Sequence, residues 1–385
     1  MISRSWKGTF HNIQPESVAE SSQRVRRLPI RDASALVEAC ETGKLGTIGE
    51  DGGMGLDAGE TATWYGRAAL ELAHTSELQV EWALGVAGDP AVVALIDELP
   101  REHRQPSLIF SVARWLGAPA AGWPQLREWL VAEWPRVAAV ARDRRTQTNE
   151  VGRCAPLLVA LDRIPGPLAL LEVGASAGLC LGVDRYAYRF NAADVVGDGE
   201  PVLDCRTSGV GTPPTSLPEV VWRRGVDLNP LALDDPDDTA WLEALLPPDR
   251  PERLARLRAA STRLLHDPPV VVAGDALEAL PVLAAAAPSG ATLVVLALGT
   301  LVYLPPAARA GMLRRCGELG ARLVTLEPVS ALPEVAERLE GLTAPEPTPF
   351  LLALDGEPIA FASAHGDRLS FVSPVGQPDE MAARS

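Results

Sequence analysis

Paired cysteines of the kind that hold a metal or a disulfide framework are missing from the 385-residue sequence. The five cysteines are odd in number, and no two of them form a C-x-x-C motif. They are scattered along the chain at Cys40, Cys154, Cys180, Cys205 and Cys316. We therefore expect no zinc site, no bound metal and no secreted disulfide fold, but free or buried thiols in a reducing cytoplasm.

Long apolar runs are also lacking. No window approaches the roughly 20 apolar residues of a membrane helix, and residues 1–7 are followed by polar sequence rather than by the apolar region of a signal peptide. No internal repeat is visible. Because 47% of the residues are hydrophobic, we predict a soluble, cytoplasmic, globular protein with one large domain or two domains and no membrane partner.

An excess of positive charge is absent as well. The chain has 35 Lys and Arg residues against 50 Asp and Glu residues, which gives a formal net charge of −15. A nucleic-acid-binding protein needs a basic face that displaces counterions from phosphates. We therefore expect no nucleic-acid partner.

The first 60 residues have the composition of a linker. Glycines recur from Gly43 to Gly59 among acidic residues, and Gly43-Lys44 lacks the spacing of a phosphate-binding loop. We predict a flexible glycine-rich arm over residues 1–60. Docking of a protein partner is the alternative role for this arm.

Apolar residues then repeat at helical spacing. Val92, Ile96 and Leu99 share one predicted helix face, and six of the nine tryptophans lie between Trp64 and Trp134. Prolines at positions 90, 106, 124 and 135 are expected near helix starts. We predict a Trp-rich helical domain over residues 61–165 with its own aromatic core, which could also form the roof of a pocket.

A strand, a glycine turn and a helix are predicted next. Residues 168–171 form an apolar run, residues 172–178 read EVGASAG, and residues 179–186 are expected to be helical. Such a turn exposes backbone amides and the positive end of a helix to a ligand. Glu172 would repel a pyrophosphate but attract an ammonium group or ribose hydroxyls.

The remaining sequence predicts a mostly parallel sheet with an antiparallel C-terminal edge over residues 166–376, followed by a tail over residues 377–385. Strands are predicted at residues 219–227, 269–276, 291–298 and 322–326, and the entirely apolar strand at 291–298 is expected to be buried on both faces. Residues 188–206 suggest an inserted hairpin, and residues 241–265 a helix. Three short strands at residues 350–354, 359–362 and 369–372 form the predicted antiparallel edge.

Two strand ends carry acids that could bind a nucleoside. We choose Asp227 as the acceptor of ribose hydrogen bonds because it ends a strand, whereas Asp194 and Asp198 lie in turns. Asp275, followed by Ala276, ends the next strand, and the resemblance described below implies that it accepts from an adenine amine. Its alternative role is an ordinary helix N-cap.

Residues 144–153 are almost wholly polar although apolar helical stretches flank them. Two interpretations remain open from the residues alone. The segment is either a helix N-cap with exposed charges or a buried polar network that lines the pocket.

Together, these motifs resemble a large bacterial family of uncharacterised conserved proteins, a domain-of-unknown-function family that is regarded as similar to class I S-adenosylmethionine (SAM) methyltransferases. The motifs are RTQTNEVGR (145–153), LEVGASAGL (171–179), GVDLNP (225–230), YLPP (303–306) and HG (365–366). The likeness covers about residues 60–375. It implies a class I SAM-methyltransferase-like Rossmann domain in an α/β fold, preceded by an α-helical domain, with S-adenosyl-L-methionine as cofactor.

Residues in and near these motifs and strand ends are candidates for particular roles. The cofactor-binding candidates are Glu172, Gly174, Ser176, Gly178, Asp227, Asp275 and Ala276. The substrate-binding candidates are Arg145, Asn149 and Thr300. Methyl transfer needs alignment and in some cases a base, and the candidates for this task are Tyr303, Glu327, His365 and Glu150. Their alternatives are, in order, a packed aromatic, a loop acid, a turn residue and a cap or ion-pair partner of Arg145.

Two residues depart from the pattern that we expect of this family. Cys180 stands where we expect Asn, and Ala297 lies in a strand end where we expect His. If that His is a base, this chain has lost it. We therefore weigh a SAM-dependent methyltransferase acting on a small molecule against two rivals. One is a repurposed enzyme that catalyses a displacement or cyclisation in natural-product biosynthesis, and the other is a non-catalytic partner subunit.

Overall fold

The computed structural model describes residues 59–372, except residues 148, 340–343 and 346. These residues belong to one compact unit that begins at Gly59. The predicted tail and all of the predicted arm except its last two residues lie outside the described residues. The domain boundary predicted at residue 165 stays a prediction.

Six α-helices form the first part of the described chain. They are α1 (Glu60–Leu72), α2 (Glu77–Ala87), α3 (Pro90–Ile96), α4 (Pro106–Trp115), α5 (Trp123–Asp143) and α6 (Cys154–Leu161). Capping explains two of the starts, because Ser76 and Asp89 accept hydrogen bonds from the free amides of α2 and α3. Pro135 does not lie near a helix start as predicted, but inside α5. The helix continues through this proline, and the nearby residues Trp134 and Val137 are buried in the core.

The helices enclose an aromatic core of their own, as the sequence predicts. The Phe110 ring packs edge-on against Tyr65 and Trp82, and the Trp82 indole donates a hydrogen bond of 2.8 Å to the Ala121 carbonyl. Trp241, which comes from a later part of the chain, is also buried in this core. The helical block is therefore tied to the sheet region by a long-range apolar contact.

Ten strands form one mixed sheet. They are β1 (Leu168–Val173), β2 (Ala187–Phe190), β3 (Val202–Ser208), β4 (Val220–Asp227), β5 (Val270–Ala273), β6 (Thr292–Leu298), β7 (Arg322–Pro328), β8 (Phe350–Leu354), β9 (Glu357–Ala362) and β10 (Arg368–Phe371). Their spatial order is β2-β3-β10-β9-β8-β7-β6-β1-β4-β5. Strands β5, β4, β1, β6 and β7 are parallel neighbours, and β8 to β10 continue the sheet with antiparallel pairs. The predicted α/β class with a mostly parallel sheet is confirmed.

Helices cover both faces of the sheet. After α6, these helices are α7 (Pro236–Ala244), α8 (Pro251–Leu264), α9 (Ala276–Ala285), α10 (Pro306–Glu318) and α11 (Pro333–Ala336). One apolar cluster joins β1 and β6 with α6 and α8, and a second joins the same strands with α9 and α10. Leu168 and Leu170 of β1 belong to the first cluster, Leu171 and Val173 belong to the second, and every residue of this strand is buried.

Three local predictions were wrong. Residues 188–206 are not a hairpin, because β2 and β3 run parallel. The C-terminal strands are antiparallel as predicted but do not form an edge, because β3 pairs with β10 and β8 to β10 therefore lie inside the sheet. The single helix predicted over residues 241–265 is two helices, since Pro247 and Pro248 lie between them. The helix predicted after the glycine turn is confirmed as a 3₁₀ helix, Leu179–Arg185, which is kinked at Gly182.

Within residues 59–372, no single helix is long and apolar enough to cross a membrane. The bent pair of α2 and α3 passes that test only when its two helices are taken together.

Replacing Trp241 should destabilise the protein strongly. Its side chain is 1% exposed and packs edge-on against Trp115, so Trp241→Ala should lower the free energy of unfolding by about 3–5 kcal/mol. Urea denaturation measures this change. Trp64→Ala is the matched control, because Trp64 is half-buried and lies outside this core. An equal loss in both variants would contradict the role given to Trp241.

Candidate functional site

The chain adds parallel strands first on one side of β1 and then on the other: β4 and β5 lie on one side, and β6 and β7 lie on the other. Strand β1 lies between β4 and β6, and the register places Val173 beside both Val226 and Ala297, so the three strands end at the same level. Ligands of open α/β sheets bind at the carboxyl ends of the strands, beside the strand at which the chain changes sides in this way. A cavity of about 520 Å³ lies there, within the size range of small-molecule sites.

Two walls of this cavity have different origins. The sheet supplies the loops after β1, β4, β5 and β6. The helical block supplies the opposite wall, with Glu102, Gln105, Leu108, Arg145, Thr146 and Gln147. The helical block therefore takes part in the pocket, in addition to having its own core.

The loop after β1 is shaped by positive φ angles at Gly174, Ser176 and Gly178. A Cβ atom on Gly174 would lie 2.3 Å from the Thr300 hydroxyl oxygen, and one on Gly178 would lie 2.7 Å from Pro269. Glycine is therefore required by the turn and by protein packing at both positions. Gly174 and Ser176 line the cavity, whereas Gly178 is not among its lining residues.

Ser176 lines the cavity and has a buried hydroxyl. The residue is 2% exposed, and its Oγ atom has no hydrogen-bond partner among the described residues. Its backbone amide donates to Asp227 Oδ2 at 2.8 Å. Because buried hydroxyls usually have partners, this one is a candidate ligand contact.

Asp227 joins the loops after β1 and β4. Besides Ser176, the backbone amide of Asn229 donates to Oδ1 at 2.8 Å, and the side-chain amide of Gln147 donates to the same oxygen at 3.3 Å. Gln147 also donates to the Asn229 carbonyl. The acid chosen from the sequence thus lies where three segments meet.

Asp275 adopts its alternative role as a helix N-cap. Its Oδ1 atom accepts hydrogen bonds from the amides of Leu277 at 2.8 Å and Glu278 at 3.2 Å, at the start of α9. Asp275 and Ala276 nevertheless line the cavity. Because both capping bonds use Oδ1, the Oδ2 atom is the one that a ligand could engage.

Glu172 is buried beside the cavity rather than lining it. The residue is 4% exposed, and Oε2 has no hydrogen-bond partner among the described residues. Burial and, to a smaller extent, the nearby Cys180 and Asp227 raise the pKa of Glu172 well above its ordinary value, against the effect of Arg153. The surroundings of Glu172 therefore oppose its ionisation.

Glu327 holds the loop after β6. Its carboxylate accepts hydrogen bonds from the amides of Thr300 at 2.7 Å, Leu301 at 2.8 Å and Val302 at 3.3 Å. Burial raises the pKa of Glu327 although these amides oppose the rise. Thr300 and Tyr303 of this loop line the cavity, whereas Glu327 lies behind it. Glu327 therefore shapes the site without lining it.

Glu150 and His365 form a second polar cluster outside the cavity lining. Glu150 is 3% exposed and accepts hydrogen bonds of 2.9 Å from Arg253 and Arg256. Burial opposes its ionisation, but the two arginines lower the pKa of Glu150 to about 2. Its ion-pair partners are thus these two arginines rather than Arg145. His365 Nδ1 lies 3.6 Å from Glu150, and burial, followed by Arg253, lowers the pKa of His365 to about 4.

Arg153 is a positioning residue to which the sequence analysis gave no role. Its guanidinium donates to the carbonyls of Leu298 and Ala364, and a Cβ on Gly299 would lie 2.3 Å from Nη1. Gly299 also has a φ angle of +79°. The motif around residue 153 could have suggested an important arginine, but not its contact with the end of β6.

The buried polar network predicted as one alternative for residues 144–153 holds in part. Glu150 also caps a 3₁₀ helix, Val151–Arg153, as in the other alternative, but it is buried rather than exposed. Arg145, Thr146 and Gln147 line the cavity, whereas Glu150 belongs to the buried polar cluster. The Asn149 side-chain amide is buried without a hydrogen-bond partner among the described residues. Residue 148 lies outside the described residues.

The structure brings together eight of the predicted site residues and separates six. The cavity is lined by Arg145, Gly174, Ser176, Asp227, Asp275, Ala276, Thr300 and Tyr303. The residues outside its lining are Asn149, Glu150, Glu172, Gly178, Glu327 and His365. Three residues of the helical wall, Glu102, Gln105 and Gln147, were not predicted as site residues, although Gln147 lies in the polar segment 144–153.

The family model that matches this sequence spans residues 62–366 and is described as "Uncharacterized protein conserved in bacteria (DUF2332)". The chain belongs to the DUF2332 family. No curated protein gives a significant match to it. The DUF2332 region contains the helical block, the cavity and His365-Gly366, but it ends before β10. This agrees with the predicted membership of a bacterial family of uncharacterised proteins.

The HG motif of this DUF2332 protein packs against the polar segment. A Cβ on Gly152 would lie 2.1 Å from the His365 carbonyl oxygen, and one on Gly366 would lie 2.0 Å from the Gly152 carbonyl oxygen. Close backbone contact therefore accounts for both glycines. Among the described residues, no group of three or more His, Cys, Asp or Glu side chains could hold a metal ion.

Acidification should destabilise the protein through His365 first and Glu150 later. Both groups have a pKa in the folded protein that is below the ordinary value. The contribution of each group to the free energy of unfolding is therefore lost as the pH falls from the ordinary pKa to the folded-state pKa. The expected windows are roughly pH 6.5 to 4 for His365 and 4.5 to 2 for Glu150. Urea midpoints measured from pH 7 to 4 should fall, and His365→Gln should flatten the upper window.

His266→Gln is the control for this experiment, because His266 is exposed. Its midpoints should follow those of the original protein. An unchanged slope in His365→Gln would contradict the assignment.

Proposed function

We propose that this protein is a SAM-dependent methyltransferase that acts on a small molecule. The observation that carries the proposal is the meeting of Asp227 with the Gly174–Ser176 turn at the cavity. An acid at the end of the second parallel strand beside a tight turn after the first suits the hydroxyls of a ribose. The DUF2332 family itself assigns no activity.

The strand order supports a Rossmann-like methyltransferase fold. Counted along the chain, the parallel strands β1, β4, β5, β6 and β7 have the spatial order 3-2-1-4-5, and the antiparallel β8 follows. The order 3-2-1-4-5 belongs to doubly wound folds that bind nucleotides. Function on such a fold must still be argued from the site.

The residues at the cavity fit S-adenosylmethionine. Asp227 would accept from the ribose, the unpartnered Ser176 hydroxyl would bond a polar group, and Asp275 Oδ2 would accept from the adenine amine. Of the residues that the structure describes, three with carboxylates and one with a guanidinium, Arg145, line the cavity, which favours a cation. When bound, the cofactor supplies an activated methyl carbon.

The acceptor would lie between the helical wall and the loop after β6. Arg145 and Thr300 can orient it, and the Tyr303 hydroxyl is the proton-accepting or orienting candidate that lines the cavity. The Tyr303 side chain is 73% exposed at the rim. The helical wall would exclude water and hold the acceptor in line.

A second candidate is an enzyme that binds the cofactor but catalyses a displacement or cyclisation without methyl transfer. Three of the four proposed bases, Glu150, Glu327 and His365, lie outside the cavity lining, and Ala297 replaces an expected histidine. Chemistry that needs no general base suits this arrangement.

Calorimetry with SAM and S-adenosylhomocysteine should detect binding. Ser176→Ala should leave the melting temperature unchanged, because Oγ has no hydrogen-bond partner in the part of the chain that the structure describes, but it should weaken binding about two- to tenfold. Ser261→Ala is the matched control, since Ser261 Oγ is also buried without a partner but lies away from the cavity. No binding by the original protein would refute the proposal.

Mass spectrometry of turnover mixtures separates the two candidates. A methyltransferase should convert SAM to S-adenosylhomocysteine and add about 14 mass units, one methylene, to an acceptor. Bound SAM that stays intact while the substrate rearranges would favour the displacement enzyme. Tyr303→Phe should slow the methyl transfer if its hydroxyl assists the acceptor.

A further inference from the structure

The side-chain amide of Gln147 occupies an acceptor position of Asp227 that a ribose would need. A carboxylate has about four acceptor positions, two on each oxygen. Of the described residues, Ser176 donates to Oδ2, while Asn229 and Gln147 both donate to Oδ1. One position on Oδ2 is therefore left for a ligand.

A vicinal diol has two hydroxyls that can donate to the two oxygens of one carboxylate. The second hydroxyl needs a position on Oδ1, so one protein donor has to leave. Ser176 and Asn229 donate from the backbone, which is fixed by the turns around them. Gln147 donates from a side chain that can rotate away, and its 3.3 Å bond is the longest of the three.

We infer that Gln147 is an affinity-setting residue that competes with the diol of a nucleoside ligand for Asp227 and is displaced when the ligand binds. The inference rests on the proposed function, because it takes the ligand to be an adenosyl compound. It adds a role for the helical block, since Gln147 belongs to the wall that this block supplies. The bond to the Asn229 carbonyl is broken in the same movement.

The competition predicts a gain of affinity on truncation. Gln147→Ala should lower the dissociation constants of S-adenosylhomocysteine and adenosine about two- to tenfold, the size expected for one net hydrogen bond. The dissociation constant of 2′,3′-dideoxyadenosine, which lacks both hydroxyls, should not change. Calorimetry measures the first ligand, and NMR titration measures the two weaker nucleosides.

Gln105→Ala is the matched control. Gln105 lines the same wall, but its side chain accepts a hydrogen bond of 3.0 Å from the Thr146 hydroxyl. Among the described residues, it makes no hydrogen bond to Asp227. Its loss should give no diol-dependent gain. Melting temperatures of both variants check that the fold is kept.

The outcomes separate this inference from the proposed function. If the original protein binds no adenosyl compound, both fail. If it binds them but Gln147→Ala binds equally or more weakly, Gln147 is a spectator or a direct ligand contact, and only the inference fails. An equal gain for 2′,3′-dideoxyadenosine would also overturn the inference, because the diol would not be its cause.

Discussion

The cavity depends on carboxylates that accept hydrogen bonds from backbone amides where the parallel strands end. A strand that stops pairing leaves amides without partners, and buried amides without partners are costly. Asp227 satisfies amides of two loops, Glu327 satisfies three in the loop after β6, and Asp275 satisfies two at the start of α9. The site therefore exists because side chains complete the hydrogen bonding that the sheet cannot.

Buried charged side chains outside the cavity lining also hold neighbouring segments in place. Arg153 supports the end of β6, and Glu150 pairs with two arginines of α8. Removing one partner of such a buried group leaves an uncompensated charge, which is strongly destabilising. Several residues of the motifs that carry the family resemblance, such as Arg153 and Glu150, thus hold loops and helices in place. Other residues near them in the sequence line the cavity. This explains why motif membership alone did not separate cavity residues from positioning residues.

Much of the sheet was predictable from local pattern. The apolar runs of β1 and β6 indicated strands buried on both faces, and Asp227 was found because it ends a strand. The parallel pairing of β2 with β3 was not predictable from the turn residues between them, because it is fixed by the distant β10. Trp241 likewise follows β4 in the chain but is buried among residues of the helical block.

The sequence by itself determined the class of the fold, the positions of the main strands, the acid at the end of β4 and the family to which the chain belongs. These features follow from hydrophobic periodicity, turn residues and short motifs, all of which act over a few positions. Only the tertiary structure decided that Glu150, Glu327 and His365 lie outside the cavity lining and that Gln147 reaches Asp227. Gln147 and Asp227 are 80 positions apart, and no local pattern specifies the packing of two distant segments that brings such side chains together.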